Sequence, residues 1–518
     1  MIKNDSQAKD FDVIIIGSGM GGLTTGSLLA QLGGKRVLIL ERHFKLGGFT
    51  HSFRRKDYEW DVGVHYVGQM QAGSMTRRIM DLVTRGGVQW NPMGSPFERF
   101  VFPEGSFEVP DDPKLFLEKL RERFPDDAAA ITRYFKDLRK VQGWIGRWFV
   151  AKQYSAPIAR LLTMGSRKLV GMTTSEYLLR FKDPLLRAFL ASQWPDYGSP
   201  PDESAFGFHA TVAGDFLNGG YYPIGGSKVI ATEMERAIES HGGKCLVSHE
   251  VVAINTHHGK ACGVTVKHKG KETYYSSPVV VSNAGAITTF TKLVSPDFCE
   301  TERRQALSLK RGVSAHILFL GLNDDPRKHG FDEANYWLYD RLDHDVHGRD
   351  REGKPPGVDG VFVSFGSLRN PGQEPHTAQV ITFSQESRWG DFEGSKWKKR
   401  GDVYEQQKVD VSNEMLDFTE KYLPGLRKLV DYQELSTPLT IESFTGHAAG
   451  MVYGQTCDRN RLFRDQWKIK TSLPNLYLTG SDVGTPGVNG ALMAGVMTAG
   501  KLLGPLGVPK IMSRAFMG

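Results

Sequence analysis

The most constraining stretch of this chain runs from Phe11 to Arg42, where strand, glycine turn, helix, second strand and acid follow one another. Phe11-Asp12-Val13-Ile14-Ile15-Ile16 leads into Gly17-Ser18-Gly19-Met20-Gly21-Gly22, and Arg36-Val37-Leu38-Ile39-Leu40 ends in Glu41. Each part has a job in holding a dinucleotide. Gly17 allows the tight turn, Gly19 lets the backbone approach a pyrophosphate, and Gly22 lets the helix pack closely on the strand. The helix N-terminus presents free N–H groups to the phosphates. Glu41 stands roughly twenty residues after the glycines, where a carboxylate accepts ribose hydroxyls. A GxGxxG motif alone is weak, but here its strand, helix and acid are all in place. The spacing predicts a Rossmann-type nucleotide site rather than an ordinary strand–turn–helix corner.

At 518 residues the chain exceeds one simple core, so two intertwined or sequential domains are expected. An apolar content of 40% with 58 glycines fits an α/β protein with many close backbone approaches. The 65 basic residues only modestly exceed the 58 acidic ones, a net charge of +7. This balance points to an anionic surface or ligand and not to nucleic acid. The opening residues Met1–Gln7 are polar, without the apolar core of a secretory signal. No apolar run approaches the roughly 20 residues that span a bilayer. The expected location is therefore cytoplasmic, with any membrane contact peripheral. Cys245, Cys262, Cys299 and Cys457 form no CxxC pair and no histidine stands at metal-ligand spacing, so packed thiols and no metal are expected.

The residues after Glu41-Arg42 separate NAD from FAD. Gly47-Gly48 would let the chain turn back across the cofactor with little side-chain bulk, and Phe49-Thr50 continue that turn. A plain NAD dehydrogenase usually continues here into helix and further parallel strands. This sequence instead becomes aromatic and mixed, through Tyr58-Glu59-Trp60 to His65-Tyr66-Val67-Gly68. The string from Phe11 to Gly68 resembles the phytoene desaturase, carotenoid isomerase and retinol saturase group of FAD-dependent oxidoreductases. Two further blocks carry the same resemblance. One is Tyr222-Pro223-Ile224-Gly225-Gly226-Ser227, a helix to about Ser240, and the stretch Gly243 to Ile254. The other runs from Pro474-Asn475-Leu476 through Gly480-Ser481-Asp482 to Val488-Asn489-Gly490-Ala491.

The resemblance implies FAD held by a glutathione-reductase-like or amine-oxidase-like Rossmann domain, into which an α+β substrate domain is inserted. It implies cofactor contacts at Gly17, Gly19, Met20, Gly22, Glu41, Arg42, Gly47, Gly48, Phe49, Thr50, Asn283, Gly480, Val488 and Ala491. It places Val251 beside the adenine through its backbone and Asp482 on the ribityl hydroxyls. No second GxGxxG follows, so the electron partner is expected to be small or bimolecular: oxygen, a quinone or a transiently docked NAD(P)H.

The three blocks divide the chain into a discontinuous cofactor domain, 1–75, 216–295 and 436–518, and a substrate domain, 76–215 and 296–435. Within the latter, Pro113–Leu120 repeats its apolar residues at helical spacing. Ala315–Leu320, Val361–Phe365 and Gln379–Phe383 read as strands, and Val403–Tyr422 as a helix stopped by Pro424-Gly425. Asp340–Asp359 reads as an exposed loop. Between Arg133 and Lys168, inside a wider segment 133–172, nine basic residues face a single acid, Asp137. Tyr134, Phe135, Trp144, Trp148 and Phe149 lie among them. This pattern predicts contact with an anionic membrane interface or a mouth for anionic lipid, against a core helix with solvated charges.

The substrate implied by the resemblance is a long apolar lipid with a C=C bond: a carotenoid, a retinoid or an unsaturated or methylated fatty acyl chain. The 29 Phe, 17 Tyr and 9 Trp could line a tunnel for it. Such a chain binds with few polar contacts, at about 0.8 kcal/mol per buried methylene. Desaturation, saturation and isomerisation all remain open at this stage. His65, Tyr66, Glu442 and Tyr453 are candidate acid–base groups, with His447 a weaker one. Packing beneath the cofactor explains His65 and Tyr66 equally well. A flavin amine oxidase and a flavin-bearing lipid carrier without turnover are the competing readings.

Overall fold

The computed structural model describes residues 11–310, 312–346, 357–384, 386–464 and 467–517. The polar opening, Met1–Gln7, and residues 347–356 of the loop read from Asp340 to Asp359 lie outside the described residues. The strand Val13–Ile16, buried at every position, is the centre of a five-stranded parallel sheet. Across the sheet the order is Leu476–Leu478, Val280–Ser282, Val13–Ile16, Val37–Leu40 and Lys244–Leu246. Full burial on both faces accounts for the unbroken Val/Ile/Leu composition of its central strands. The helix Met20–Gly33 follows the glycine turn and ends at Gly34, whose left-handed φ of 59° returns its N–H to Ala30 O. This helix packs on Gly487–Leu502, and the contact needs glycine. A Cβ on Gly495 would lie 2.5 Å from Thr24 Cβ. Beside the parallel sheet stands an antiparallel meander, Glu250–His257, Lys260–His268 and Lys271–Ser276.

A second, seven-stranded sheet orders Val430–Ser436, Ser314–Leu322, Thr377–Ser384, Gly360–Ser364, Asn335–Tyr339, Glu98–Phe102 and Gly105–Val109. Its pairs are antiparallel except Asn335–Tyr339 with Glu98–Phe102. The three strands read from the sequence all belong to it. Successive side chains serve opposite faces. Leu318, Leu320, Leu338, Val363 and Val380 pack in the core that includes Tyr404, Val411, Met415 and Leu416 of the helix Asp402–Tyr422. Trp337, Tyr339 and Phe362 belong to the larger core on the nucleotide side.

Pro113–Arg123 is helical, as its spacing predicts, and packs on the 24-residue helix Ala128–Ala151. The latter corrects one expectation. Trp144 and Trp148 are buried, and their indole N–H groups donate to Thr163 O and Leu462 O, each at 3.0 Å. The tryptophans are core residues and not interfacial anchors. Beyond them, exposed apolar side chains stand at Val150, Tyr154, Ile158, Leu161 and Met164, around the short helix Ala156–Leu162, which buries no residue. No helix among the described residues is long and apolar enough to cross a membrane.

Candidate active site

The glycine turn builds a cradle that side chains would fill. Gly17 has φ 91°, and a Cβ on Gly22 would stand 2.3 Å from Gly17 O. On Gly21 it would stand 2.5 Å from Gly480 Cα, which brings the C-terminal block against the first turn. Gly47 (φ 111°) and Gly48 (φ 56°) reverse the chain after the second strand, so that a Cβ on Gly48 would meet Gly19 Cα at 3.1 Å. Gly19 also lies against Asn283, whose Nδ2 would be 2.8 Å from its Cβ.

Glu41 is buried at the end of its strand. Its Oε2 accepts from Ser18 N (2.8 Å) and Ser18 Oγ (2.7 Å), and its Oε1 accepts from His43 N (2.8 Å). Three donors fix the carboxylate in one orientation, and the two oxygens together retain lone-pair capacity for a ligand hydroxyl. Ser18 Oγ in turn accepts from Gly47 N at 3.0 Å, tying the glycine turn to the returning loop.

From this cradle a cavity of about 560 Å³ runs to the seven-stranded sheet. That volume is within the usual range for a small-molecule site. Its nucleotide end is lined by Gly17, Gly19, Met20, Glu41, Arg42, Gly47, Gly48, Phe49, Thr50, Val251, Asn283, Gly480, Val488 and Ala491. Its far end is apolar and aromatic, with Trp194, Trp337, Tyr339, Phe362, Ile381 and Phe383. Of the expected cofactor contacts only Gly22 and Asp482 are not part of the wall. Gly22 is packed on Gly17 O, and Asp482 Oδ2 accepts from Ala286 N at 2.7 Å.

The acid–base candidates divide in the same way. His65, Tyr453 and His447 line the cavity, whereas Tyr66 and Glu442 do not. Burial, reinforced by the Arg369 guanidinium, pushes His65 down to about 3, so its imidazole is neutral at physiological pH. Burial pushes the Tyr453 phenol well up, and its uncharged form is the one present. His447 Nδ1 lies 3.0 Å from Met451 O.

Tyr66 sits behind the wall, stacked on Phe216 at 4.1 Å. Its hydroxyl is 2.6 Å from Glu98 Oε1 and 2.6 Å from Asp196 Oδ2. Glu98, fully buried, also accepts from Trp337 Nε1 (2.9 Å) and Gln193 Nε2 (2.8 Å), and burial pushes it up to about 7. Asp196 is on the cavity wall; burial, and then the Glu98 charge, hold its carboxyl well above the usual carboxylate range. Beneath them Arg369 is completely buried. It donates to His65 O, Ser364 Oγ, Asn335 Oδ1 and Glu333 O.

Glu98, Asp196 and Arg369 were not read from the sequence. Glu98 left a signal: it shares the inward phase of its strand with Phe100 and Phe102, a position at which an acid is out of place. Asp196 and Arg369 left none, because their partners are far away in sequence. Among the described residues no cluster suits a metal, and the four cysteines are free.

A positive-φ glycine cradle, a helix N-terminus and an oriented carboxylate fit a dinucleotide, and an apolar chamber beyond it fits a flavin with a lipid over it. Together with the relatives below, they define an FAD-dependent oxidoreductase. Residues 15–83 match the model of the NAD(P)-binding Rossmann-like domain. Over 95% of its length the chain is 32% identical to the all-trans-retinol 13,14-reductases of Macaca fascicularis and Homo sapiens, covering 85% of each. It is 27% identical to prolycopene isomerase 1 of an Oncidium hybrid cultivar, over 97% of this chain and 86% of that one. The chain belongs to the retinol 13,14-reductase family, within the retinol saturase and carotenoid isomerase group. Among solved structures, putrescine oxidase bound to putrescine is similar at a TM-score of 0.62 and 14% identity, over 95% of this chain and 99% of that one. Cyclohexylamine oxidase from Brevibacterium oxydans gives 0.60 and 16%, over 97% and 99%. At such identities the likeness is one of fold.

Proposed function

We propose that this protein saturates a C=C bond of a long polyene lipid of the retinoid or carotenoid class. The observation that carries this reading is the cavity, polar and glycine-lined at one end and aromatic at the other, in a chain 32% identical to retinol 13,14-reductases. Bound FAD would supply a hydride equivalent to one carbon of the bond. The chain's own residues do the rest. Glu41, Asn283 and the glycines hold the cofactor; Trp337, Phe362 and Phe383 exclude water and align the polyene. The uncharged His65 and Tyr453 put no fixed charge against an apolar substrate. The reductant in this reading is a bimolecular nicotinamide or quinol.

The same reading keeps the division into a cofactor part (1–75, 216–295 and 436–518) and a substrate part (76–215 and 296–435). The strands of the five-stranded sheet come from the former, and those of the seven-stranded sheet from the latter to within a residue. It also keeps peripheral contact with an anionic cytoplasmic membrane face, now resting on Tyr154, Ile158, Leu161 and Met164 with Arg160, Arg167 and Lys168 beside them. Flotation with anionic vesicles that weakens with salt is expected, and no binding at low salt removes this part.

The reaction is tested by giving the FAD-loaded protein a retinoid or carotenoid with a chemical reductant and weighing the product. A gain of two hydrogens is expected. Unchanged mass with altered geometry would mean isomerisation, and oxidation of amines alone would mean an amine oxidase.

A further inference from the structure

The buried group of Tyr66, Glu98 and Asp196 contains a proton that simple counting locates. Tyr66 Oη is 2.6 Å from an oxygen of each carboxyl group. One hydroxyl has one proton and can donate to only one of them. Were both carboxyls ionised, the other short contact would set lone pair against lone pair. A second proton must therefore sit on a carboxyl. Glu98 receives hydrogen bonds from Trp337 and Gln193 as well as Tyr66, and these donors favour its ionised form. Asp196 has only the Tyr66 contact; its Oδ1 has no hydrogen-bond partner among the described residues, and its residue forms part of the cavity wall. The proton belongs on Asp196, which donates to Tyr66, which donates to Glu98.

Resting on the polyene-reductase reading above, we propose that Asp196 is a catalytic residue of this cavity, passing the proton on its carboxyl to one carbon of the C=C bond. Tyr66 and Glu98 are positioning residues that keep the proton there. The O–H of Asp196 gives up its hydrogen bond to Tyr66, turns to the cavity and breaks, leaving its electron pair on the carboxylate. The π pair of the C=C bond forms the new C–H bond. The neighbouring carbon is closed by the hydride equivalent already named, whose two electrons come ultimately from a nicotinamide-class or quinol reductant, and Asp196 regains a proton from solvent. His65, neutral on the same wall, has no proton of comparable acidity to give. The groups around Asp196 are the phenols of Tyr66, Tyr197, Tyr339 and Tyr453, all held in their uncharged forms by burial, and the Glu98 carboxylate.

The test uses the FAD-loaded protein. Infrared spectra of wild type and Asp196→Asn at neutral pH should differ by the C=O stretch of a neutral carboxylic acid that shifts in D2O. In D2O the wild-type product should carry two solvent deuteriums, one from Asp196 and one from the hydride equivalent, because the N–H of reduced flavin exchanges with solvent. Asp196→Asn should lose polyene reduction by at least about 100-fold, the scale of a lost general acid, while binding FAD and accepting electrons from a chemical reductant. Glu98→Gln removes the like charge that adds to burial in keeping Asp196 protonated, so the alkaline limb of its activity should move to lower pH, a shift that a merely structural role would not give. If Asp196→Asn fails to bind FAD, the Glu98→Gln profile decides. Asp196→Asn within threefold of wild type, no neutral-carboxyl band lost with Asp196, or an unmoved Glu98→Gln limb overturns the proposal. A wild type that reduces no polyene would instead sink the reductase reading, and the infrared band would still report the proton.

Discussion

Replacing Glu41 by glutamine changes one atom and should cost most of the cofactor affinity. The carboxylate accepts from Ser18 N, Ser18 Oγ and His43 N, at 2.7 to 2.8 Å, with donors on both of its oxygens. An amide has one acceptor and one donor end, so whichever way the new side chain turns, its NH2 faces an N–H. If the NH2 faces Ser18, the hydroxyl can rotate but the backbone N–H cannot. If it faces His43, that backbone N–H loses its partner. An unsatisfied buried donor costs about 1–3 kcal/mol, and a hydrogen bond to a charged group contributes about 1.5–3 kcal/mol. The Glu41 carboxylate is expected to accept from the ribose, so the lost charged hydrogen bond falls on FAD binding and the unsatisfied donor falls on the fold. At about 1.4 kcal/mol per factor of ten, the dissociation constant should rise by roughly 10- to 100-fold. Titration of apoprotein with FAD, followed by flavin fluorescence, measures it. Thermal unfolding of the two apoproteins separates loss of the turn from loss of the ribose contact. An affinity within twofold of wild type would refute the placement of the ribose at Glu41.

Three further outcomes follow from the geometry. Gly22→Ala puts a Cβ 2.3 Å from Gly17 O and should strip FAD from the purified protein, whereas Gly34→Ala has open space around it. There the only penalty is a left-handed backbone at about 1 kcal/mol, read as a small fall in Tm with FAD content unchanged. Phe362→Ala removes a ring 4.5 Å from Trp337 and 5.3 Å from His65. It should cost about 3 kcal/mol of stability and raise KM for the polyene more than it lowers kcat, with FAD retained. Stability should also fall as pH rises from about 4.5 to 7, because the buried Glu98–Asp196 pair binds its protons more tightly in the folded chain than when unfolded. Over that window the folded state binds the additional proton, so raising pH favours unfolding. Glu98→Gln should flatten the slope in urea titrations, and an unchanged slope would assign it elsewhere.

The nucleotide half of the site was legible because its chemistry is local. Gly17, Gly19 and Gly22 lie within six residues, Glu41 follows at a fixed distance, and each position answers to a backbone conformation or a close approach. The strands of the second sheet were also legible, since Ser314–Leu322 and Thr377–Ser384 carry mostly apolar and β-branched residues along their length. What the sequence hid depends on folding. The aromatic residues of 133–168 looked like a membrane face until Trp144 and Trp148 were found donating to buried carbonyls. Spacing alone does not distinguish a helix that turns its aromatics inward from one that turns them out. The acid pair was hidden more deeply: Glu98 and Asp196 are far apart in the chain, and the hydroxyl of Tyr66 joins them. The sequence places Tyr66 beside the cofactor, and the fold puts it behind the cavity wall.

The central claim is that reduced FAD in this cavity gives its electrons to a polyene. Anaerobic mixing of the reduced, FAD-loaded protein with a retinoid or carotenoid tests it directly in a stopped-flow spectrometer. The account predicts that oxidised flavin absorbance returns at a rate that depends on polyene concentration, with one substrate reduced for each flavin reoxidised. Flavin that stays reduced with every polyene, while the oxidised protein is bleached by amines, would contradict it.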